Sequence, residues 1–185
     1  MQRSELVERA RRGDRDAFGE LAAADIGRLF AIAQLILGAP ELARDAVQDA
    51  LLEAWRGLPR LRDVDRYDAW QHRLLVRSCQ RQRGRRARVA GSWEVERVSA
   101  DSADPADSIV TRDQIARAFH RLPAEQRAVL VLKFYLDLPV RDVATQLGLP
   151  EGTVKSRLHR GLSALRAALE ADARDPRPLA EGSVQ

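Results

Sequence analysis

The side chains best suited to binding chemistry lie near the C-terminus, on a helix predicted to begin after Pro150. At helical spacing, one face carries the cationic, hydroxyl and imidazole donors of Lys155, Ser156, His159 and Arg160. Arg157 and Arg166 flank this face, and Thr153 lies near the helix start. Such donors near a helix N-terminus suit base edges in the major groove and backbone phosphates. The pattern predicts binding to double-stranded DNA, and an ordinary solvated face on a helical hairpin is the alternative. The side chains are Thr153, Lys155, Ser156, Arg157, His159 and Arg160, with Arg166 further along.

Two apolar stripes must position that face. The first comprises Val140, Val143, Ala144 and Leu147, and the second Val154, Leu158, Leu162 and Leu165. They meet at Gly148-Leu149-Pro150, where glycine permits a tight helix exit and proline begins a new helix without continuing the old one. The spacing of Ala144, Gly148 and Val154 is typical of a helix-turn-helix.

A second basic segment occurs earlier in the chain. Seven arginines follow one another with no acidic residue between them, so we expect an anionic partner, nucleic acid above all, to balance them. Tyr67 and Trp70, just upstream, offer faces on which unpaired bases could stack. A solvated helix end for the arginines, and core packing for Trp70, are the alternatives. The arginines are Arg73, Arg77, Arg81, Arg83, Arg85, Arg86 and Arg88.

Composition and patterning predict an all-α fold in two small modules. The chain has 185 residues and no alternating run of β-branched residues, and its apolar positions recur at helical spacing. Helices are predicted over 16–37, 41–58 and 68–86 in the first module. We expect modules at 1–86 and 110–170, a flexible acidic linker at 87–109 and a disordered tail at 171–185.

Several function classes are disfavoured. The chain has no glycine-rich phosphate loop and no nucleophile motif, so we expect no enzyme, no cofactor and no metal. There is no apolar run long enough to cross a bilayer and no signal-peptide core, so a cytoplasmic protein is expected. Cys79 is the single cysteine and is expected to be a buried core thiol. The net charge of +4 makes the distribution of charge more informative than its total.

These segments resemble the extracytoplasmic-function (ECF) sigma factors of bacterial RNA polymerase. Residues 122–160, from L-P-A-E-Q-R to S-R-L-H-R, are similar to sigma region 4. A-R-D-A-V-Q-D-A-L-L-E-A-W-R resembles the polymerase-binding helix of region 2, and Y-D-A-W-Q-H-R-L-L-V-R the helix after its promoter-reading loop. The resemblance covers nearly the whole chain apart from linker and tail.

The resemblance implies partners and roles. The partners would be core RNA polymerase, promoter DNA and, by family habit, an anti-sigma factor. Asp45, Gln48 and Asp49 would dock on the polymerase, and Thr153, Lys155, Ser156, Arg157, His159 and Arg160 would read the −35 element as duplex. Residues of the loop and the helix after it would bind the melted −10 strand, where a base is extruded into a pocket. These are Arg62, Asp63, Asp65, Arg66, Tyr67, Trp70, Arg73, Arg77 and Arg81.

The chain departs from the family pattern in two places. Val76, Arg77 and Arg81 stand where an Arg-Asn pair and, a turn later, an Asp are common, and Pro150 stands where a serine usually caps the recognition helix. Helix entry would then depend on proline geometry. The rival interpretation is a stand-alone helix-turn-helix regulator, for which we would expect a dimer and a palindromic target.

Overall fold

A computed structural model describes residues 3–89 and 109–174, and in these two ranges every regular element is helical. Two short 3-10 turns, Leu58–Arg60 and Val64–Arg66, separate α3 from α4, and a π-helical turn, Val131–Tyr135, follows α6. The predicted flexible linker, apart from its ends, and most of the predicted tail lie outside the described residues. The helices are α1 Arg3–Arg11, α2 Arg15–Leu37, α3 Pro40–Gly57, α4 Tyr67–Val89, α5 Ile109–His120, α6 Ala124–Leu130, α7 Val140–Leu147 and α8 Glu151–Arg174.

Helices α1 to α4 form the first module, and local signals set the ends of α2. The Asp14 carboxylate accepts hydrogen bonds from the amides of Asp16 (3.1 Å) and Ala17 (3.0 Å), which are otherwise unpaired donors at a helix start. Gly38 ends the helix at φ 74°, a left-handed conformation that glycine adopts without strain. Helix α3 then packs between α2 and α4.

Helices α5 to α8 form the second module, and α7 and α8 make the predicted helix-turn-helix. Gly148 ends α7 at φ 65°, and Val143, Ala144 and Val154 are buried at the crossing of the two helices. Gly161 brings α8 close to α6, since a Cβ there would lie 3.2 Å from Leu130 Cδ1. The predicted motif is therefore present, held by small and aliphatic residues at its crossings.

The two modules pack against each other through α2, α4, α6 and α7. One continuous apolar core contains Ile36 and Cys79 of the first module and Val129 and Val143 of the second. Burial raises the pKa of the Cys79 thiol to about 12, as expected for an inert core cysteine. The prediction of a buried Cys79 is confirmed.

Arg127 of α6 joins the modules through four backbone carbonyls. Its buried guanidinium donates to Ile36 O (3.0 Å) and Leu37 O (2.9 Å) at the end of α2, and to His120 O (2.9 Å) and Leu122 O (3.2 Å) in its own module. A cation at a helix C-terminus is favourable because carbonyls left without intrahelical partners point at it.

Some apolar side chains on helices are exposed, among them Leu162 of the second apolar stripe, which was predicted to face inward. Ile26, Ile115 and Leu162 retain 51%, 44% and 44% of their accessible surface. Beside Ile26, the buried position is taken by Asp25, whose carboxylate binds Arg3 at 2.8 Å. Adjacent residues on a helix point about 100° apart, so burying Asp25 turns Ile26 outward.

Candidate nucleic-acid interface

The exposed face of α8 carries the predicted DNA-reading side chains. Lys155, Ser156, His159 and Arg160 are exposed, whereas Thr153 and Arg157 are half-buried. Ser156 Oγ donates to Thr153 O at 2.9 Å, and Arg160 Nε donates to Ser156 O at 3.3 Å. The structure thus brings all six predicted residues onto the first three turns of one helix, but Arg157 lines a cavity beside Ile36 and Arg83 of the first module and does not share the exposed face of Lys155, His159 and Arg160.

Helix α8 begins without a serine cap. The Pro150 carbonyl accepts hydrogen bonds from the amides of Thr153 (3.0 Å) and Val154 (3.1 Å). Proline therefore supplies the backbone acceptor at the helix start, and Glu151 supplies an acidic residue in the first turn, which suits the positive end of the helix dipole. This arrangement positions the exposed face even though the usual cap is missing.

An open cavity lies on the first module between the end of α3 and the start of α4. Its volume is about 480 Å³. Leu61, Trp70 and Leu74 give it an apolar surface, and Gly57 lets the indole approach closely, because a Cβ there would lie 3.0 Å from Trp70 Cζ2. Arg56, Arg60 and Arg62 line it as well, and all three are exposed. We call this cavity the Trp70 pocket.

Of the predicted loop residues only Arg62 lines this pocket, and the others follow it in the chain. Arg62, Asp63, Asp65 and Arg66 are exposed; Asp63 accepts from Asp65 N at 3.0 Å and pairs with Arg66 at 3.3 Å. Trp70 is half-buried and lines the pocket. Arg62 and Trp70 are therefore the two predicted −10 residues that line this pocket.

Tyr67 does not provide the stacking surface that we expected. Only 2% of it is exposed, and its hydroxyl accepts a hydrogen bond from Gln71 Nε2 at 3.0 Å. Its ring packs against Trp70 with centroids 6.0 Å apart, and the Arg3 guanidinium lies 5.6 Å from its centroid. Tyr67 supports Trp70 from within the core instead of facing a ligand.

The α4 arginines are partly balanced by acidic residues of the protein, contrary to the expectation that only an external anion would balance them. Arg81 bonds Glu53, Arg83 lies 3.3 Å from Glu125, and Arg85 lies 3.7 Å from Asp49. Of the predicted −10 set, Arg77 is exposed and Arg73 half-buried. Helical neighbours on α3 and α6 supply charges that the sequence order of α4 does not reveal.

Sequence reasoning did not identify Glu53, Arg56 and Arg60 as part of this site. All three line the Trp70 pocket. The available signal was the spacing of Glu53 and Arg56, which lie three apart near the end of a helix and therefore share a face, whereas Arg60 follows the helix in a 3-10 turn. The 3-10 turn after α3 continues that face toward Arg62.

The predicted polymerase-docking residues lie on α3. Asp45 and Gln48 are exposed, and half-buried Asp49 accepts a hydrogen bond from Gln82 Nε2 at 3.0 Å. Among residues 3–89 and 109–174 no cluster of His, Cys, Asp or Glu is arranged to hold a metal ion. No helix in those ranges is long and apolar enough to cross a membrane.

Comparisons with known proteins match both modules. Residues 21–89 match Sigma-70 region 2, and residues 112–165 match Sigma-70, region 4. The ECF RNA polymerase sigma factor SigM of Mycobacterium tuberculosis is 38% identical over 157 residues, which cover 85% of this chain and 79% of SigM.

Solved structures show the same fold. CnrH, in complex with the cytosolic domain of CnrY, aligns with a TM-score of 0.61 and 26% identity over 91% of this chain and 97% of that one. RpoE of Bartonella quintana, in complex with the anti-sigma factor NepR, aligns with a TM-score of 0.65 and 23% identity over 84% of this chain and 98% of that one. The chain therefore belongs to the ECF RNA polymerase sigma factors, and both modules predicted from its sequence are those of the family.

Proposed function

We propose that this chain reads a promoter at two places, with α8 on the −35 duplex and the Trp70 pocket on an unpaired −10 base. As an alternative sigma factor it directs promoter-specific transcription initiation. The observation that supports this division most strongly is that each module presents an accessible cationic surface and that the two differ in shape: a convex helix face and a concave aromatic pocket.

The face of α8 suits duplex DNA. An α-helix fits the major groove, where arginine and lysine donate to guanine acceptors and serine bonds several bases. Lys155, His159 and Arg160 are exposed on a helix that α6 and α7 hold in place, so their backbone positions are fixed before DNA arrives. We assign −35 reading to these residues together with Thr153, Ser156 and Arg157.

The Trp70 pocket suits a single extruded base. Taking a base out of the stack costs a few kcal/mol, and stacking on an aromatic side chain returns about 1–3 kcal/mol per base. Arg56, Arg60 and Arg62 around the indole supply positive charge for the phosphates on either side. A pocket of this kind favours melted over paired −10 DNA and so shifts the promoter toward its open state.

The remaining assignments concern polymerase and regulation. We place core polymerase on α3 at Asp45, Gln48 and Asp49, since an acidic patch steers association with a basic surface.

The chain itself performs no chemistry; it acts in the cytoplasm by binding, and the polymerase makes the RNA. CnrH was solved with the cytosolic domain of CnrY, and we expect an anti-sigma factor to bind this chain too.

Binding of the reconstituted holoenzyme to matched promoter fragments tests the proposal. One fragment is fully duplex, and the other has the same −35 duplex with an unpaired −10 non-template strand. We expect tighter binding to the forked fragment, and Trp70→Leu should remove that preference while leaving −35 binding unchanged. Equal affinity of the parent holoenzyme for both fragments would reject the −10 assignment. A protein that binds a palindromic duplex as a dimer without polymerase would support the stand-alone regulator.

A further inference from the structure

The Trp70 pocket contains one acidic side chain that the proposed function does not use. Glu53 of α3 lines the pocket among three arginines. A carboxylate repels the phosphates that those arginines attract, so it weakens nucleic-acid binding unless it faces a hydrogen-bond donor. An ionised carboxylate only accepts hydrogen bonds, and the donors on DNA are on the bases. A carboxylate oxygen left available in this pocket therefore suits a base edge and not a phosphate.

The structure holds Glu53 by one oxygen and leaves the other available. Arg81 of α4 donates through Nη2 to Glu53 Oε1 and also to Ser78 Oγ at 2.6 Å. Within residues 3–89 and 109–174, Glu53 Oε2 has no hydrogen-bond partner, and the side chain is 38% exposed. Charge-assisted bonds fix orientation more strongly than neutral ones. Arg81 thus holds one carboxylate oxygen of Glu53 and leaves the other available on a residue that lines the pocket.

We propose that Glu53 determines base specificity in the Trp70 pocket by accepting a hydrogen bond from the exocyclic amino group of the unpaired base, with Arg81 as a positioning residue. The inference rests on the proposed −10 role of the pocket. On an unpaired base, cytosine, adenine and guanine each carry an exocyclic amino group, whereas thymine carries carbonyl oxygens in its place. A carboxylate attracts an amino group and repels a carbonyl oxygen. The pocket therefore accepts an amino-bearing base over thymine.

The first experiment identifies the pocket position, which is the promoter position whose base enters the Trp70 pocket. Forked promoter fragments with a single abasic site are scanned through the unpaired −10 strand, using holoenzyme with the parent chain and with Trp70→Leu. The leucine keeps an apolar side chain against Tyr67 and removes the stacking face. The pocket position is the one where removing the base weakens binding to the parent but not to Trp70→Leu, as in a double-mutant cycle.

Base preference at that position then tests Glu53. We expect the parent to prefer its favoured amino-bearing base over thymine by about 5- to 100-fold, the range for one specific base contact. Glu53→Gln, whose amide can both donate and accept, should reduce the preference to less than about 3-fold. Replacing the favoured base with its analogue lacking the amino group should weaken parent binding and leave Glu53→Gln unchanged.

Two control variants distinguish a loss of base specificity from a general change in DNA binding. Glu41→Gln makes the same change at an exposed position of α3 and should retain the parent preference. Arg62→Gln should weaken binding to all four bases alike. A parent preference for thymine, or an unaltered preference in a folded Glu53→Gln protein, would overturn the inference. Equal binding to forked and duplex DNA would instead reject the proposed −10 function itself.

Discussion

At the residue scale, side chains on one exposed helix face can differ in what they contact. Arg160 and Lys155 both lie on the solvent side of α8, but the Arg160 guanidinium is oriented by its bond to Ser156 O. Arginine presents a planar, forked set of donors, whereas lysine is a flexible point charge. We therefore expect Arg160 to read a base and Lys155 to bind a phosphate.

Replacing Arg160 with alanine should relax preference at one −35 position. Loss of a bidentate contact to guanine removes about 1–3 kcal/mol of discrimination there. Affinities of the holoenzyme for −35 duplex variants, measured at one salt concentration, check this. Lys155→Ala is the matched control and should weaken all variants about equally. A uniform loss for Arg160→Ala would make it a phosphate contact.

His72 should make stability depend on pH. It is buried, its Nε2 has no hydrogen-bond partner within the described ranges, and burial with the nearby positive charge of Arg28 lowers its pKa below 6.5. As pH falls through 6.5, the unfolded chain binds this proton and the folded chain resists it. Above that pH, His72 is neutral in both states and does not lower the free energy of unfolding. As the pH falls below it, the free energy of unfolding decreases.

Urea unfolding at several pH values between about 5 and 7.5 measures this contribution. His72→Gln removes the titrating group, so the loss of unfolding free energy toward acid pH should be smaller than in the parent chain. Identical pH dependence in the two proteins would show that carboxylates, not His72, control acid stability.

At the element scale, α3 has two functional sides. Its exposed acidic side carries the proposed polymerase contacts, and its C-terminal end lines the Trp70 pocket. Asp49 interacts with α4, because its carboxylate accepts a hydrogen bond from Gln82 and lies near Arg85. Asp45 is exposed and has no such bond within the described residues, so it is the cleaner position for a test.

Asp45→Arg should weaken core-polymerase binding at least about tenfold, or about 1.4 kcal/mol, because it reverses charge in the steering patch. Titration of labelled protein with core polymerase measures the affinity. Glu20→Arg makes the same charge change at an exposed position of α2, and this variant should bind core polymerase normally. Normal binding by a folded Asp45→Arg protein would contradict the docking assignment.

The elements that the sequence predicted well are those fixed by local signals. Gly148, Pro150 and Val154 define the helix-turn-helix because turn geometry and helical spacing act over a few residues. Tyr67 was predicted to face a ligand but is buried, and Glu53 was not predicted as a site residue. Their environments come from helices distant in sequence. Spacing gives the face of a helix but not which neighbour covers it.

At the scale of the whole molecule, Arg127 is the main polar link between the modules. Nothing in its sequence context distinguishes it from the surface arginines, yet it is buried against α2. Gly38 accommodates it, since a Cβ there would lie 3.1 Å from Arg127 Nη2. Burial, with the nearby charge of Arg83, lowers the Arg127 pKa, and four carbonyls stabilise the cation.

Arg127→Met should loosen the contact between the modules. Loss of charge-assisted bonds to buried carbonyls should lower the unfolding free energy by about 2–4 kcal/mol, and the radius of gyration in solution scattering should rise. Arg121→Met, which breaks an exposed pair with Asp172, should cost less than about 1 kcal/mol. A compact, fully stable Arg127→Met protein would show that apolar packing alone holds the modules.

Run-off transcription tests the central claim most directly, namely that two DNA-reading surfaces on one chain direct polymerase to a promoter. Purified protein, bacterial core polymerase and a pool of promoter fragments would be combined, and the transcripts sequenced. We predict initiation that requires both proteins and selects fragments sharing a −35 and a −10 element. Arg160→Ala should alter selection only at −35, and Glu53→Gln only at −10. Initiation without sequence selection, or no core-dependent initiation at all, would contradict this account.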